Sequence, residues 1–335
     1  MNILILASEY PYEKDTNADR TKVVGYFARE WVKQGHKVIT IVDSSAFPKV
    51  YYAVGDKLKK LVSKIFDVSR TPDRLWTNRF TYDDFGVYVE NLPIVKYIPH
   101  GRFSEKALSK QFDDIVEILD GSGFVPDVVT GHWVNPQIAL VPRLARRYGA
   151  KSAFVFHADY GKENCKKFSV QKYLNQIDHI GFRSQSAMDV AKGYLHFKNK
   201  PFVAASGIPD RFIDMLNNEH EKNFDDSISI ITAGRLVEYK KIDVALEAAK
   251  DAFEKEKFDF VVAGDGPMKA KLQSYIDGAG LQKQMHLLGQ IDRNELQKLM
   301  RERQVFVLIS KHETFGLVYL EAMLQGCIVI ASRFG

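Results

Sequence analysis

The chain has 335 residues, 45% hydrophobic and 27% charged, a balance that excludes whole-chain disorder and suits two globular domains. Forty-seven Lys and Arg against 42 Asp and Glu leave a net charge of +5. No apolar run approaches the roughly 20 residues of a membrane-spanning helix, and Cys165 and Cys327 form neither a CxxC pair nor a disulfide framework. The opening Asn2-Ile3-Leu4-Ile5-Leu6-Ala7 has no basic leader and reads as a strand, not a signal peptide. A cytoplasmic protein is expected. Its charge is uneven, with 30 basic and 22 acidic residues in 1–205 against 17 and 20 in 206–335. A basic first half suits an anionic partner, though chance surface composition gives the same excess.

In chain order, apolar runs alternate with helical patterns, which predicts parallel sheets covered by helices. Residues 2–7 form a strand. A helix follows over about 18–34, with Val23, Val24, Phe27 and Trp31 on one face, and a strand over 37–42. Residues 44–125 are less regular, with β-like pieces near 87–98 and a helix near 104–119. Next come strand 127–131, helix 136–148, strands 152–156 and 178–182, helix 185–196 and strand 201–205. Ser206-Gly207-Ile208-Pro209 and the polar run 217–226 read as a linker. A second series has strands 228–233, 258–263, 285–288, 305–309 and 328–331. Its helices are 240–255, 267–278, 292–302 and 316–325. The domains are therefore read as 1–205 and 227–335, joined by 206–226. The chain stops at Gly335 after a strand with no closing helix, so the second domain is expected to be incomplete.

Three segments of this second series carry chemistry. Ser310-Lys311-His312-Glu313-Thr314-Phe315-Gly316 leads from a strand into a helix opening near Phe315 or Gly316. The unpaired N–H groups of a first helical turn attract a phosphate or a developing anion. Glu313 precedes that helix and Glu321 lies within it, either on a ligand or as a solvated helix carboxylate. Gly234-Arg235-Leu236-Val237-Glu238-Tyr239-Lys240 also leaves a strand end, and Arg235 and Lys240 bring two cations to one edge, suiting a diphosphate. Gly264-Asp265-Gly266-Pro267 marks a third strand-to-helix turn.

Together with Leu288-Gly289-Gln290-Ile291, these segments resemble the donor domain of retaining family 4 glycosyltransferases of the GT-B fold. The family's GRL-x3-K, GDGP and S-x2-E-x-FG-x4-EA-x3-G elements are all present in order, the last from Ser310 to Gly326. The first half is similar more weakly, through Gly35-His36-Lys37-Val38, the segment ending in His132-Trp133, and Phe154-Val155-Phe156-His157. It departs from the family at Thr16–Arg20, where a glycine-rich loop is usual, and at Ala158, where the glycine of "HG" is usual.

The resemblance implies two Rossmann-like doubly wound domains facing across a cleft, and transfer of a hexose from a nucleoside diphosphate sugar. The acceptor is expected to be a hydroxyl of a saccharide or lipid-linked saccharide, in polysaccharide or glycolipid synthesis. Arg235 and Lys240 would bind the diphosphate, and Glu313 the sugar hydroxyls. The amides of Phe315, Gly316 and Leu317 would lie near the sugar and distal phosphate, and Glu321 would hold the ribose. Gly234, Gly289 and Ile291 belong to the donor-binding elements. His132 would approach the sugar from the first domain, or else is a core histidine. The chain has no Asp-x-Asp and no His-x3-His, so catalysis without a metal or other cofactor is expected. No nucleic-acid partner is expected.

Two other readings remain open, a nucleotide-sugar epimerase and a non-catalytic sugar-nucleotide-binding protein or partial chain that needs a partner. Finally, Leu58, Leu61, Val62 and Ile65 with Lys57, Lys60 and Lys64 have the spacing of a basic amphipathic helix. It suits either peripheral contact with an anionic membrane at its inner face or plain packing on the first domain.

Overall fold

The structure is a computed structural model describing residues 1–13, 21–48, 51–52, 74–98, 100–157, 160–208, 222, 227–253, 257–311, 313 and 315–333. The chain divides into two compact units, Met1–Ala205 and Ser206–Gly335. Four readings lie outside the described residues: the loop Thr16–Arg20, the amphipathic stretch 55–66, Ala158 and most of the linker 206–226.

The strands of the first unit are β1 (Asn2–Ala7), β2 (Lys37–Val42), β3 (Ser45–Ala46), β4 (Phe80–Asp84), β5 (Val87–Asn91), β6 (Ile94–Val95), β7 (Val128–His132), β8 (Lys151–Phe156), β9 (His179–Phe182) and β10 (Phe202–Val203). Eight of them make one sheet in the order β10-β9-β8-β7-β1-β2-β5-β4, and β3 pairs with β6 beside it. The unbroken apolar run of β1 follows from burial on both faces. Ile3, Ile5 and Ala7 share a core with Val24 and Ala28 of the helix Val23–Lys33. Leu4 and Leu6 belong to the other core, with Ile115 and Leu119 of the helix Glu105–Gly121 and Leu140 and Leu144 of the helix Gln137–Tyr148. Each of these Val, Leu and Ile side chains contributes about 1.5–3 kcal/mol of burial.

Several expectations need correction. The sheet is not wholly parallel, because β4 runs antiparallel to β5 at its edge. The mostly polar run Phe80-Thr81-Tyr82-Asp83-Asp84 gives a weak strand signal. Asp84 pins it by accepting from Arg29 Nε at 2.8 Å, Arg29 Nη2 at 2.6 Å and the Tyr10 hydroxyl at 2.9 Å. Two short helices, Gly161–Lys167 and Val170–Leu174, occupy a stretch for which no element is predicted. The predicted helix 185–196 ends at Lys192, capped by Gly193, and strand 201–205 shortens to Phe202–Val203.

One buried carboxyl marks the carboxyl edge of this sheet. Asp43 follows β2, is 0% exposed, and has only neutral donors, Gln111 Nε2 at 2.7 Å and Gln137 Nε2 at 3.2 Å. Burial outweighs those two hydrogen bonds and pushes its pKa up to about 7. The folded chain thus favours the protonated acid. Its contribution to stability is complete below the ordinary carboxylate pKa and is lost as pH rises through about 7. The melting temperature is expected to fall between pH 5 and pH 8 by more in the wild type than in Asp43→Asn. Parallel pH profiles of the two proteins would refute this.

The second unit is an all-parallel sheet of β11 (Ile228–Ala233), β12 (Phe258–Ala263), β13 (Met285–Gly289), β14 (Val305–Leu308) and β15 (Ile328–Ala331), in the order β13-β12-β11-β14-β15. The helix predicted at 240–255 begins only at Ile242, because Lys241 is left-handed at φ 52° and Glu238–Lys240 form a 3₁₀ turn. Strand order reverses between β11 and β14 here, and between β1 and β7 in the first unit. In open α/β sheets ligands bind outside the carboxyl ends of the strands at such a reversal. Among the described residues no helix is long and apolar enough to cross a membrane.

Candidate active site

The loops leaving β11, β12 and β13 are tied to one another by backbone hydrogen bonds that prolong the sheet. Gly234 N–H donates to Ala263 O at 3.0 Å, Leu236 N–H to Asp265 O at 2.9 Å, and Gly264 N–H to Gly289 O at 2.7 Å. Approach is so close that a Cβ on Gly264, whose φ is 145°, would lie 1.9 Å from Gly234 O. The glycines of two motifs therefore serve each other's position. Ile291, just beyond Gly289, packs against the core of this unit.

On the other side of the reversal, β14 leads into Ser310 and Glu313. Lys311 N–H donates to Tyr239 O at 2.8 Å, joining this loop to the one after β11. There Lys240 Nζ forms an ion pair with Glu313 Oε2, both side chains mostly enclosed, and Ser310 Oγ lies 3.4 Å from the same oxygen. Arg235 is exposed and pairs with no acceptor among the described residues. The helix opens at Leu317, one residue later than predicted, with Gly316 as a left-handed cap at φ 71° and no side-chain cap. A Cβ on Gly316 would lie 2.3 Å from the Tyr319 ring and 3.1 Å from Glu313 Cγ, so the glycine lets the Glu313 stem lie against the helix start. Phe315 and Leu317 flank it, half-buried.

Glu321 is not the solvated helix carboxylate that its sequence position allows. It is 6% exposed, and its Oε1 accepts from Arg293 Nη2 of the helix Arg293–Glu302. Arg293 escapes the sequence reading because it stands 28 positions away in no motif.

In the first unit, His132 ends β7 and His157 follows β8. His132 is 1% exposed, its Nδ1 is 2.8 Å from His157 Nε2, and its own Nε2 is buried without a partner. A proton on His132 Nδ1, donated to His157, leaves no stranded N–H, whereas the opposite tautomer buries one. Burial, then the Arg183 guanidinium, pushes the His132 pKa down to about 3. Burial also holds His157 well below the usual imidazole range, with His132 and Arg183 adding to it. Both rings are neutral at pH 7. Trp133 stacks on His157 at 4.2 Å, and Phe27 lies over His132 at 6.2 Å. His132 is thus a core histidine in contact with an outer, half-buried one. Sequence reading placed His157 in a motif without giving it a role, and missed Arg183, which directly follows β9. Among the described residues no cluster of three or more His, Cys, Asp or Glu side chains is placed to hold a metal ion.

The Glycosyl transferases group 1 family matches residues 215–335, which contain every donor-side residue named above. The chain is similar to two proteins of Methanocaldococcus jannaschii. It is 29% identical over 181 residues to the uncharacterized glycosyltransferase MJ1607, covering 52% of this chain and 43% of that protein. It is 23% identical over 319 residues to the uncharacterized glycosyltransferase MJ1178, covering 88% and 80%. Among solved structures, Anabaena Alr3699/HepE in complex with UDP and glucose superposes with a TM-score of 0.62 at 14% identity, covering all of this chain and 81% of that one. The chain therefore has a two-unit α/β fold of the GT-B class, and its second unit matches the Glycosyl transferases group 1 family.

Proposed function

We propose that the chain is a retaining glycosyltransferase that moves a hexose from a nucleoside diphosphate sugar to a hydroxyl of a saccharide or lipid-linked acceptor, without a metal, in polysaccharide or glycolipid synthesis. The observation that carries this reading is the meeting of Lys240 and Glu313, 73 residues apart, at the carboxyl edge where strand order reverses. Lys240 and Arg235 supply positive charge to the diphosphate as the bond to the anomeric carbon breaks and the electron pair leaves with phosphate oxygen. Glu313 holds the sugar hydroxyls, aided by the uncapped amides at Gly316 and Leu317. Glu321, oriented by Arg293, holds the ribose. The acceptor hydroxyl attacks the face the diphosphate leaves, and its proton passes to the departing phosphate oxygen. The role that resemblance gives to His132 falls to the His132–His157 pair, whose outer ring is the more accessible.

The test is sugar transfer with and without excess EDTA, beginning with UDP-sugars because the similar Anabaena protein holds UDP and glucose. Transfer that persists in EDTA and retains the anomeric configuration is expected. Activity abolished by chelation and restored by Mg²⁺ or Mn²⁺ would overturn the metal-free site. Binding of sugar nucleotides with no transfer to any acceptor would overturn the enzyme.

A further inference from the structure

A basic patch around an exposed apolar tip lies in the first unit, in the loop after β6. Tyr97 is 74% exposed and Ile98 63%. Their turn closes where Gly101 N–H donates to Ile98 O at 3.0 Å, and a Cβ on Gly101 would lie 2.9 Å from that oxygen. The loop is held at several points. Lys96 N–H donates to Ala46 O at 2.8 Å, Asn135 Nδ2 to Gly101 O at 3.1 Å, and Phe103 is buried in the core. Arg102 Nη2 reaches Lys166 O at 3.1 Å, drawing in the end of the helix Gly161–Lys167. The exposed apolar tip is therefore fixed outward by the fold.

Four cations surround it. Lys96 Nζ stands over the Phe103 ring at 4.7 Å, and burial together with nearby Lys167 pushes its pKa down. Lys166 and Lys167 are exposed at the end of their helix, whose one carboxylate, Glu163, lies near its opposite end. Among the described residues none of Lys96, Arg102, Lys166 and Lys167 is in an ion pair. Like charges gathered without counter-charge disfavour the bare surface and favour an extended anionic one. A stable protein partner buries about 800 Å² on each side, which a two-residue tip cannot supply. A bilayer needs only a shallow apolar wedge, an amphipathic ring at headgroup depth and lysines nearby.

We infer that this surface docks on an anionic lipid bilayer, with Tyr97 and Ile98 entering the headgroup layer and Lys96, Arg102, Lys166 and Lys167 facing lipid phosphates. The surface shares no residue with the stretch 55–66 or with the donor-side residues, and its readout is vesicle binding, not transfer. The experiment is flotation of the full chain with phosphatidylcholine vesicles, with and without phosphatidylglycerol. Binding is expected only with the anionic lipid and should weaken as salt is raised. The double variant Lys96→Gln, Lys167→Gln should bind about 30-fold more weakly, at roughly fivefold per lost cation. Tyr97→Ser with Ile98→Ser, which leaves the charge unchanged, should lose about tenfold. Absent binding, equal binding to pure phosphatidylcholine, or insensitivity to the lysine pair would overturn the proposal. Loss with the lysine pair but not with the Tyr97 and Ile98 pair would also overturn it, since that marks attraction to a polyanion without insertion.

Discussion

Lys240→Met is expected to lower the turnover of sugar transfer by about 10²- to 10³-fold, the range found when one preorganised donor to a developing anion is removed. The loss corresponds to about 2.7–4 kcal/mol of transition-state stabilisation. Lys240 suits this role because its ammonium is held, not floppy. The pair with Glu313 and the 3₁₀ turn Glu238–Lys240 fix it before the diphosphate gains charge, so little reorganisation is needed during reaction. The rival explanation is that Lys240 merely ties two loops together. In that case Lys240→Met would lose activity in step with melting temperature, and transfer measured well below the transition would be near normal. Lys271→Met is the control. Its surface pair with Asp243, at 3.3 Å, belongs to the same unit and has little energetic weight, so turnover should not change. A variant at Lys240 that keeps a tenth or more of wild-type turnover would remove this residue from the proposed charge site.

The second unit was the more legible of the two in sequence because its elements have the regular period of a parallel sheet. The limits of β11, β12 and β15 agree with the sequence reading. Its turns carry glycines whose backbones nearly touch, as Gly264 and Gly234 do, and such crowding leaves few alternative residues. The first unit hid more. The β4 edge is held by Tyr10, Arg29 and Asp84, which are dispersed over the sequence, so no local period announces it. Asp43 is surrounded by glutamines from two distant helices, and its burial becomes evident only when those helices pack. The same holds for Arg293 beside Glu321. Motif reading finds the residue itself, but a partner that orients it, as Arg293 orients Glu321, can come from a helix with no motif of its own. Residues exposed at a fixed turn, as at Tyr97 and Ile98, leave no trace in a hydrophobicity pattern either.

Glu321 and Glu313 should separate when each carboxylate is neutralised. Glu321→Gln is expected to weaken a nucleoside diphosphate and its sugar conjugate together, by roughly 10- to 150-fold, since a hydrogen bond to a charged group contributes about 1.5–3 kcal/mol. The ribose is remote from the bond that breaks, so turnover at saturating donor should change less. Glu313→Gln should do the reverse, sparing diphosphate affinity while lowering turnover, if the contacts proposed for it orient the ring as the anomeric centre gains charge. The ion pair with Arg293 complicates the first case. Glu321 is enclosed and Arg293 only partly so, and removing either partner leaves the other facing a poorer environment. A fall in melting temperature is therefore expected in Glu321→Gln whether or not the ribose is bound there. Arg293→Gln supplies the missing comparison, because it breaks the same pair and leaves the carboxylate in place. Both variants should melt lower. Only Glu321→Gln should lose the full nucleotide affinity, measured calorimetrically at a temperature where all the proteins are folded. Equal affinity losses in the two would mean that the carboxylate serves the packing of its helix and that the ribose is held by another group.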